Sequence, residues 1–462
     1  MRLDRSSKIH FLAGVCLPEL KLDNLFIHVY VKVNFFENWK GKMNKRIVIS
    51  GSCRTPVGRF AGRLKSVKAQ ELLRTCFKGS LEKAGIQIEN IDSVVASTCV
   101  HSPNAMNVAR VAILLAGLPD DAVDTYNKGE YLKEEVVEKS RARNITAFTP
   151  SFNCGSGVQA VISAVHEIVA GDSRVVLVGG TESMSNSPML LERGSGSKMR
   201  DSLLEDSLVH GLRDPLTGEL MGRIAENTVE KYGVSREEQD LFAVESHTRA
   251  YEAISSGKFE TEIVPVKSIE KGMLGDIRES EIYEDEGPNP TLTVSKLATL
   301  KSYFKKDGTI TPANSCTVND GAASFLVMEL ERALELGVTL EAEILGYGKA
   351  AGDPSHMGEG PIWAIPKALK MAGLTEGQID FFEINEAFAG VVLATKKHFQ
   401  IPGDRLNIRG GAVALGHPVG TSGAKLLTTL IHILHDFKKD YGLVSLCVGN
   451  GQGIALVIKR FV

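Results

Sequence analysis

The chain has 462 residues, 43% hydrophobic and 24% charged, with 53 basic against 56 acidic side chains for a formal charge of −3. These are the proportions of a soluble globular protein with a large core, and they exclude collagen-like, disordered and coiled-coil chains. There is no basic excess to hold a nucleic-acid backbone or an anionic membrane, and no apolar run reaches the roughly 18 residues of a membrane helix.

Residues 1–42 differ in character from the remainder of the chain. They mix charge with Phe35, Phe36 and Trp39, and they carry Asp4, Glu19, Asp23 and Glu37. A secretory signal needs a basic start and a clean apolar stretch, and a transit peptide is poor in acids, so neither pattern fits. This stretch is read as an extension, with the folded protein beginning near Met43. Seven cysteines stand at 16, 53, 76, 99, 154, 316 and 447, widely spaced and without a CxxC pair. That usage points to a reducing compartment, the cytoplasm, rather than to a disulfide framework or a zinc site.

In chain order, Arg46–Gly51 reads as a first buried strand ending in a turn. Helices are expected over 67–84 and 105–116, with a strand at Val94–Ser97 between them. The polar stretch 121–144 reads as a surface excursion. A helix over 157–170 and a strand at Val175–Val178 come next. Residues 185–300 are polar and glycine-rich, with Gly194, Gly196, Met199 and Met273 among them. They are too long for a loop in a compact domain, so an inserted lobe is expected. Strands at Ala342–Leu345, Phe381–Ile384 and Leu443–Cys447 then alternate with helices over 363–372, 386–398 and 421–437. This alternation predicts an α/β fold with crossover helices. Residues 154–180 and 416–453 share one order (glycine-rich turn, helix, strand, glycines), an internal echo that two copies of one unit would explain.

Four segments carry chemistry. In Asn153-Cys154-Gly155-Ser156-Gly157 a cysteine precedes a helix, where free N–H groups and the helix dipole favour thiolate. The flanking glycines would admit a substrate, whereas a small buried hydrophobe is the common fate of such a cysteine. The run Gly410–Gly423 holds five glycines. There His417 occupies a turn before a helix, placed to exchange protons or to satisfy backbone. Cys447-Val448-Gly449-Asn450-Gly451-Gln452-Gly453 puts a second cysteine ahead of N–H groups that could form an anion hole. Asn385 ends the strand Phe381–Ile384, as a ligand contact or a helix cap.

Taken together and in this order, the four segments resemble those of the thiolases, over about residues 44–462. Cys154–Gly157 matches the C-[GA]-S-[GA] stretch, Asn385–Phe388 the N-E-A-F motif, Gly416–Gly423 the G-H-P-x-G-x-[ST]-G motif, and Cys447–Gly453 the C-x-G-G-G-x-G motif with one exception. The resemblance implies two βαβαβαββ halves in a five-layered αβαβα body with an inserted loop domain. The N-terminal half would be 44–184 with 309–333, the loop domain 185–308 and the C-terminal half 334–462. It implies reversible CoA-dependent cleavage of a 3-ketoacyl-CoA to acetyl-CoA and a shortened acyl-CoA, or the reverse condensation, as in fatty-acid β-oxidation. Cys154 would be the nucleophile, His417 its base and Cys447 the acid. Asn385 would act on the enolate, and the N–H groups of Cys154 and Gly449 would form the oxyanion hole. Met221, Phe304, Ser315, Cys316, Met357 and Phe388 would line the substrate and CoA site. Coenzyme A and acyl-CoA are the implied partners, with CoA as co-substrate, no metal or other cofactor, and a homodimer or homotetramer as the assembly.

The sequence departs from the family pattern at named positions. Leu220 stands where many short-chain members have His. Asn450 replaces the middle glycine of the last motif, adding bulk beside the anion hole. Cys316-Thr317 replaces Ser-Gly, and Asn289 an Arg. Two other readings are a different condensing enzyme of the superfamily, against which Cys447 and the N-E-A-F stretch argue, and a thiolase-like carrier without turnover, against which the four retained catalytic groups argue.

Overall fold

The computed structural model describes residues 45–191, 203–271 and 277–462. The extension 1–42 lies outside the described residues, as do Gly194, Gly196, Met199 and Met273. Among the described residues the strands of the first half and its long excursion are β1 (Ile47–Arg54), β2 (Gly58–Arg59), β3 (Ser93–Ser97), β4 (Thr146–Phe148), β5 (Val175–Ser183), β6 (Met189–Leu191), β7 (Leu204–Asp206), β8 (Val266–Lys271), β9 (Ile277–Ile282) and β10 (Asn319–Glu329). The rest are β11 (Ala342–Ala351), β12 (Phe381–Ile384), β13 (Tyr441–Val448) and β14 (Gln452–Arg460).

Most of the strands join in one sheet, in the order β12-β13-β14-β11-β1-β10-β5-β3-β4, with β2 added to β10. This order contains the same pattern twice. In β3-β5-β10-β1 the first pair is parallel and the next two antiparallel. In β12-β13-β14-β11 the pairs run parallel, antiparallel, antiparallel as well. The internal echo in the sequence is this repeated topology. The two copies meet edge to edge, where Val48 pairs with Glu343 and Ile49 with Ala342.

Side-chain alternation along the strands builds five layers, because successive residues point to opposite faces. Val176, Val178, Val444, Leu446 and Val448 face a shared central core with the helices Ser156–Ala170 and Ser422–Phe437. Val175 and Leu177 face the outer helices Ala69–Ala84 and Val108–Ala116. Leu443, Cys447 and Val457 face the outer helices Gly360–Ala372 and Ala389–Phe399 on the other side. The thiolase fold expected from the motifs is thus present. The two central helices touch backbone to backbone. A Cβ on Gly157 would press into the Ala424 nitrogen, and one on Gly423 would lie 2.6 Å from the Val158 nitrogen.

The turn expected at Gly51 is a bulge instead. Gly51 sits at φ +66° with Ser80 O against the place where a Cβ would stand, and β1 continues past it to Arg54. Two central strands, β10 and β14, escape the sequence reading. Each opens on residues that read as a turn, Asn319-Asp320-Gly321 and Gln452-Gly453, and their strand character comes from pairing on both sides.

The long polar stretch leaves β5 and returns to β10 at neighbouring positions, since Ser183 pairs with Asp320. Its apolar faces fold into the helices Met221–Lys231 and Arg236–Ser255. The second of these starts with a capping box between Ser235 and Glu238. Arg54 fastens this stretch to β1. Its guanidinium is fully buried and reaches Asp285 by two bonds of 2.7 and 2.9 Å and Glu262 by one of 2.5 Å. The excursion at 121–144 contains the helices Asp120–Asn127 and Glu134–Val137, and Val123 packs against Leu115 and Leu118. No helix among the described residues is long and apolar enough to cross a membrane.

Candidate active site

Cys154 lies in a tight turn between β4 and the helix Ser156–Ala170. Asn153, at φ +45°, bends the chain there. The Ser156 hydroxyl holds the turn, accepting from Phe152 N at 2.7 Å and donating to Asn153 O at 2.6 Å. Burial pushes the Cys154 thiol up to about 11, against the pull of the Gly449 and Cys154 N–H groups that face its sulfur. The thiolate expected at a helix start is therefore not the resting form, because desolvation outweighs the dipole and the two amides. The flanking glycines also serve a different purpose from the one expected. A Cβ on Gly155 would meet Phe152 and Val448 at 2.8 and 2.9 Å, and Gly157 takes the contact with the second central helix. Both admit protein rather than ligand.

His417 is buried in the loop before the helix Ser422–Phe437. Its backbone N–H donates to Asn319 Oδ1 at 3.0 Å. Its Nδ1 is 2.6 Å from Ser422 Oγ, whose own hydrogen goes to Pro418 O at 2.9 Å. Ser422 must then accept, so the proton sits on Nδ1 and Nε2 is left as a base. Burial, with the charge of Lys425, pushes the imidazole down to about 3. Asn385, at the end of β12, donates from Nδ2 to that Nε2 at 3.4 Å. Its Oδ1 is buried and accepts no hydrogen bond among the described residues.

Cys447 is the penultimate residue of β13 and only 1% exposed. Burial, and then the neighbouring sulfurs of Cys154 and Cys316, push its thiol up. Burial and Cys154 likewise push Cys316 up to about 12. Three thiols from the two halves of the chain thus lie within electrostatic reach of one another. Gly449 comes next in the β13–β14 turn, with Asn450 and Gly451 both left-handed at φ +66° and +70°.

An apolar wall adjoins this point. Met221 Sδ is 3.8 Å from where a Cβ on Gly449 would stand. Phe304 lies edge-on to Phe388, with centroids 6.0 Å apart, and stacks over Gly222. Met357 is buried among the same side chains. The Ser315 hydroxyl turns inward to Thr311 O at 2.7 Å, and Cys316 N bonds Ala387 O at 3.0 Å. A cavity of about 350 Å³ borders this segment, lined by Arg59, His247, Asn289, Ser315, Thr317 and Ala414 among others.

The family model for the N-terminal domain of thiolase matches residues 47–128 and 123–331, and that for the C-terminal domain matches 338–460. The chain belongs to the thiolase family. The N-terminal match comes in two pieces that overlap at 123–128, inside the 121–144 excursion. This thiolase is 40% identical over 421 residues to a "Probable acetyl-CoA acyltransferase" of Staphylococcus aureus strain N315, covering 90% of this chain and 99% of that protein. Its structure resembles the Bacillus anthracis acetyl-CoA acetyltransferase (TM-score 0.82, 37% identity, 90% and 99% covered). It also resembles human mitochondrial 3-ketoacyl-CoA thiolase in complex with CoA (TM-score 0.80, 34% identity, 90% and 98% covered).

Two further residues build this site, and only one of them carries a sequence signal. Ser422, which sets the His417 tautomer, lies inside the G-H-P-x-G-x-[ST]-G motif and was legible there. Glu182 had no such signal. It is fully buried at the end of β5 and accepts from Thr98 Oγ1, Cys99 N, Val100 N and Gly420 N at 2.8, 3.0, 2.9 and 2.8 Å. It thereby ties the His417 loop to the first half.

Proposed function

We propose that this acyltransferase of the thiolase family cleaves a 3-ketoacyl-CoA with CoA, through an acyl group held on Cys154. The observation that carries the reading is the Cys154 sulfur facing the N–H groups of Gly449 and its own residue. A carbonyl attacked by that sulfur would develop its negative charge where two fixed donors already point.

The remaining groups would handle the proton transfers. Cys154 rests as a thiol, and His417 Nε2, neutral in its buried site, takes the proton as the sulfur attacks the 3-keto carbon. The bond between C2 and C3 then breaks, leaving its electron pair on the acetyl-CoA enolate. The enolate oxygen is met by protonated His417 and by Asn385, and the Cys447 thiol gives C2 its proton. CoA enters next. Its thiol proton passes to the Cys447 thiolate, its sulfur attacks the acyl-Cys154 carbonyl, and Cys154 leaves as thiolate and takes back the proton held on His417, so the shortened acyl-CoA departs with all three groups restored. Met221, Phe304, Met357 and Phe388 form the apolar side of the substrate site, with Cys316 and Ser315 along the pantetheine arm. No metal enters these steps, and CoA is consumed as a co-substrate. The domain boundaries at 184, 308 and 333 and a cytoplasmic location belong to the same reading.

A homodimer also fits. β4 is one of the sheet's two edge strands, bonded to β3 alone, and Phe148 on it is 40% exposed. An edge with exposed apolar side chains is a site for pairing with another chain.

The test is CoA-dependent loss of ultraviolet absorbance from acetoacetyl-CoA and from a longer 3-ketoacyl-CoA, with Cys154→Ala as control. Cleavage by the wild type alone is expected. A folded wild-type protein that binds CoA yet cleaves neither substrate overturns the reading in favour of a carrier.

A further inference from the structure

Asn450 is the one position in the last motif where this chain departs from the family's glycine run, and its side chain has a defined place. Its Nδ2 donates to Asp214 Oδ2 at 2.8 Å. Its Oδ1 accepts from Asn153 Nδ2 at 3.2 Å, and the same Asn153 nitrogen is 3.4 Å from Gly449 O. Three segments distant in sequence are joined by this chain of bonds: the nucleophile turn, the oxyanion turn and the long excursion.

Asp214 is committed on the other side as well. It is fully buried. Its Oδ1 accepts from Leu216 N at 3.0 Å, Thr217 N at 2.9 Å and Thr217 Oγ1 at 3.2 Å. Asp214 N bonds Glu219 O at 2.8 Å, and Gly218 N bonds Asp214 O at 2.8 Å, which closes the segment into a loop. That loop ends on Met221, whose N–H donates to Leu212 O at 3.0 Å and whose sulfur stands over Gly449. One carboxylate therefore fixes the loop internally with one oxygen and fastens it to the oxyanion turn with the other.

We propose that Asn450 and Asp214 form a latch that holds the 212–221 loop down over the acyl group on Cys154, and so set this enzyme's chain-length discrimination. Asn450 and Asp214 are positioning residues, and neither carries a proton or an electron pair in the reaction. Two left-handed asparagines, Asn153 at φ +45° and Asn450 at φ +66°, face each other at the latch. Asparagine tolerates that conformation and offers both a donor and an acceptor, which glycine at 450 cannot do. The latch presupposes thiolase activity at Cys154.

The experiment compares wild type with Asn450→Gly and Asp214→Asn. Glycine accepts a positive φ without strain, so the turn itself is kept. Two readouts are needed. Amide exchange over 212–221 should quicken in Asn450→Gly by about tenfold or more, as expected for one hydrogen bond to a carboxylate. The ratio of kcat/KM for acetoacetyl-CoA to that for a six- to eight-carbon 3-ketoacyl-CoA should shift toward the longer substrate by a similar factor, while the rate of Cys154 alkylation stays at the wild-type value. Asp214→Asn should shift the ratio the same way. Unchanged exchange in Asn450→Gly, or both substrates losing activity equally, overturns the latch. A wild-type protein that cleaves neither substrate overturns the thiolase reading first, which the exchange data alone would not do.

Discussion

Ser422 Oγ stands 2.6 Å from His417 Nδ1 and gives its own hydrogen to Pro418 O. One hydroxyl, committed as a donor to backbone, thereby decides which imidazole nitrogen is free to act as a base. In Ser422→Ala the buried Nδ1–H loses its acceptor, at a cost of about 1–3 kcal/mol. The expected result is a fall in kcat of roughly 5- to 150-fold, with KM little changed. Ser422→Thr keeps the hydroxyl and should restore most of the rate. Steady-state kinetics of the two variants check this.

The Cys154 thiol, pushed up to about 11 by burial, is not poised for spontaneous reaction. Its alkylation by iodoacetamide should keep rising with pH beyond 9 rather than levelling near 8, since only the thiolate reacts. Cys154→Ala should remove both this labelling and turnover while leaving the fold intact, as read by circular dichroism. Wild-type rates in that variant would end the proposed mechanism.

His417 is buried in its neutral form at about 3, against an ordinary value of 6.5. The unfolded chain gains a proton there below pH 6.5 and the folded chain does not, so this contribution to stability is present above pH 6.5 and fades as pH falls toward 3. The slope reaches about 1.4 kcal/mol per pH unit. Chemical denaturation between pH 7 and 4 should show a shallower acid loss in His417→Gln than in wild type. Equal slopes would refute the assignment.

Glu182 accepts four hydrogen bonds in a dry site and bridges the Thr98–Val100 segment to Gly420. Glu182→Ala leaves those donors buried and unpaired, and a loss of about 3–5 kcal/mol is expected, as for breaking a buried charged network. Glu182→Gln, which keeps the shape and part of the acceptor capacity, should lose less. Urea unfolding midpoints of the two variants give the comparison.

Arg54 should be nearly as intolerant. Arg54→Met strands Asp285 and Glu262 in a buried site, and a similar loss of about 3–5 kcal/mol is expected in the same assay. Restoration by Lys should be partial, because an ammonium cannot make the paired bonds to Asp285.

Much of this protein was legible one segment at a time. Apolar runs such as Phe381–Ile384 and the periodic helix 422–437 can be read from local pattern alone, because a strand or helix must bury one face wherever it sits. The repeat showed itself faintly, since two copies of one unit keep the order of glycine turn, helix and strand even after their side chains diverge. The four positions proposed as catalytic were legible as motifs. Other features depend on partners far away in the chain. Asn319–Glu329 begins like a turn, and only β5 and β1 on either side make it a strand. Cys154 sits where a thiolate is favoured locally, and only the packing of both halves around it removes enough water to reverse that preference. The bond from Asn450 to Asp214 spans 236 positions. Local chemistry fixed which residues could react. Burial and long-range hydrogen bonding, which exist only in the closed fold, decided the protonation states in which they wait and the loop that covers them.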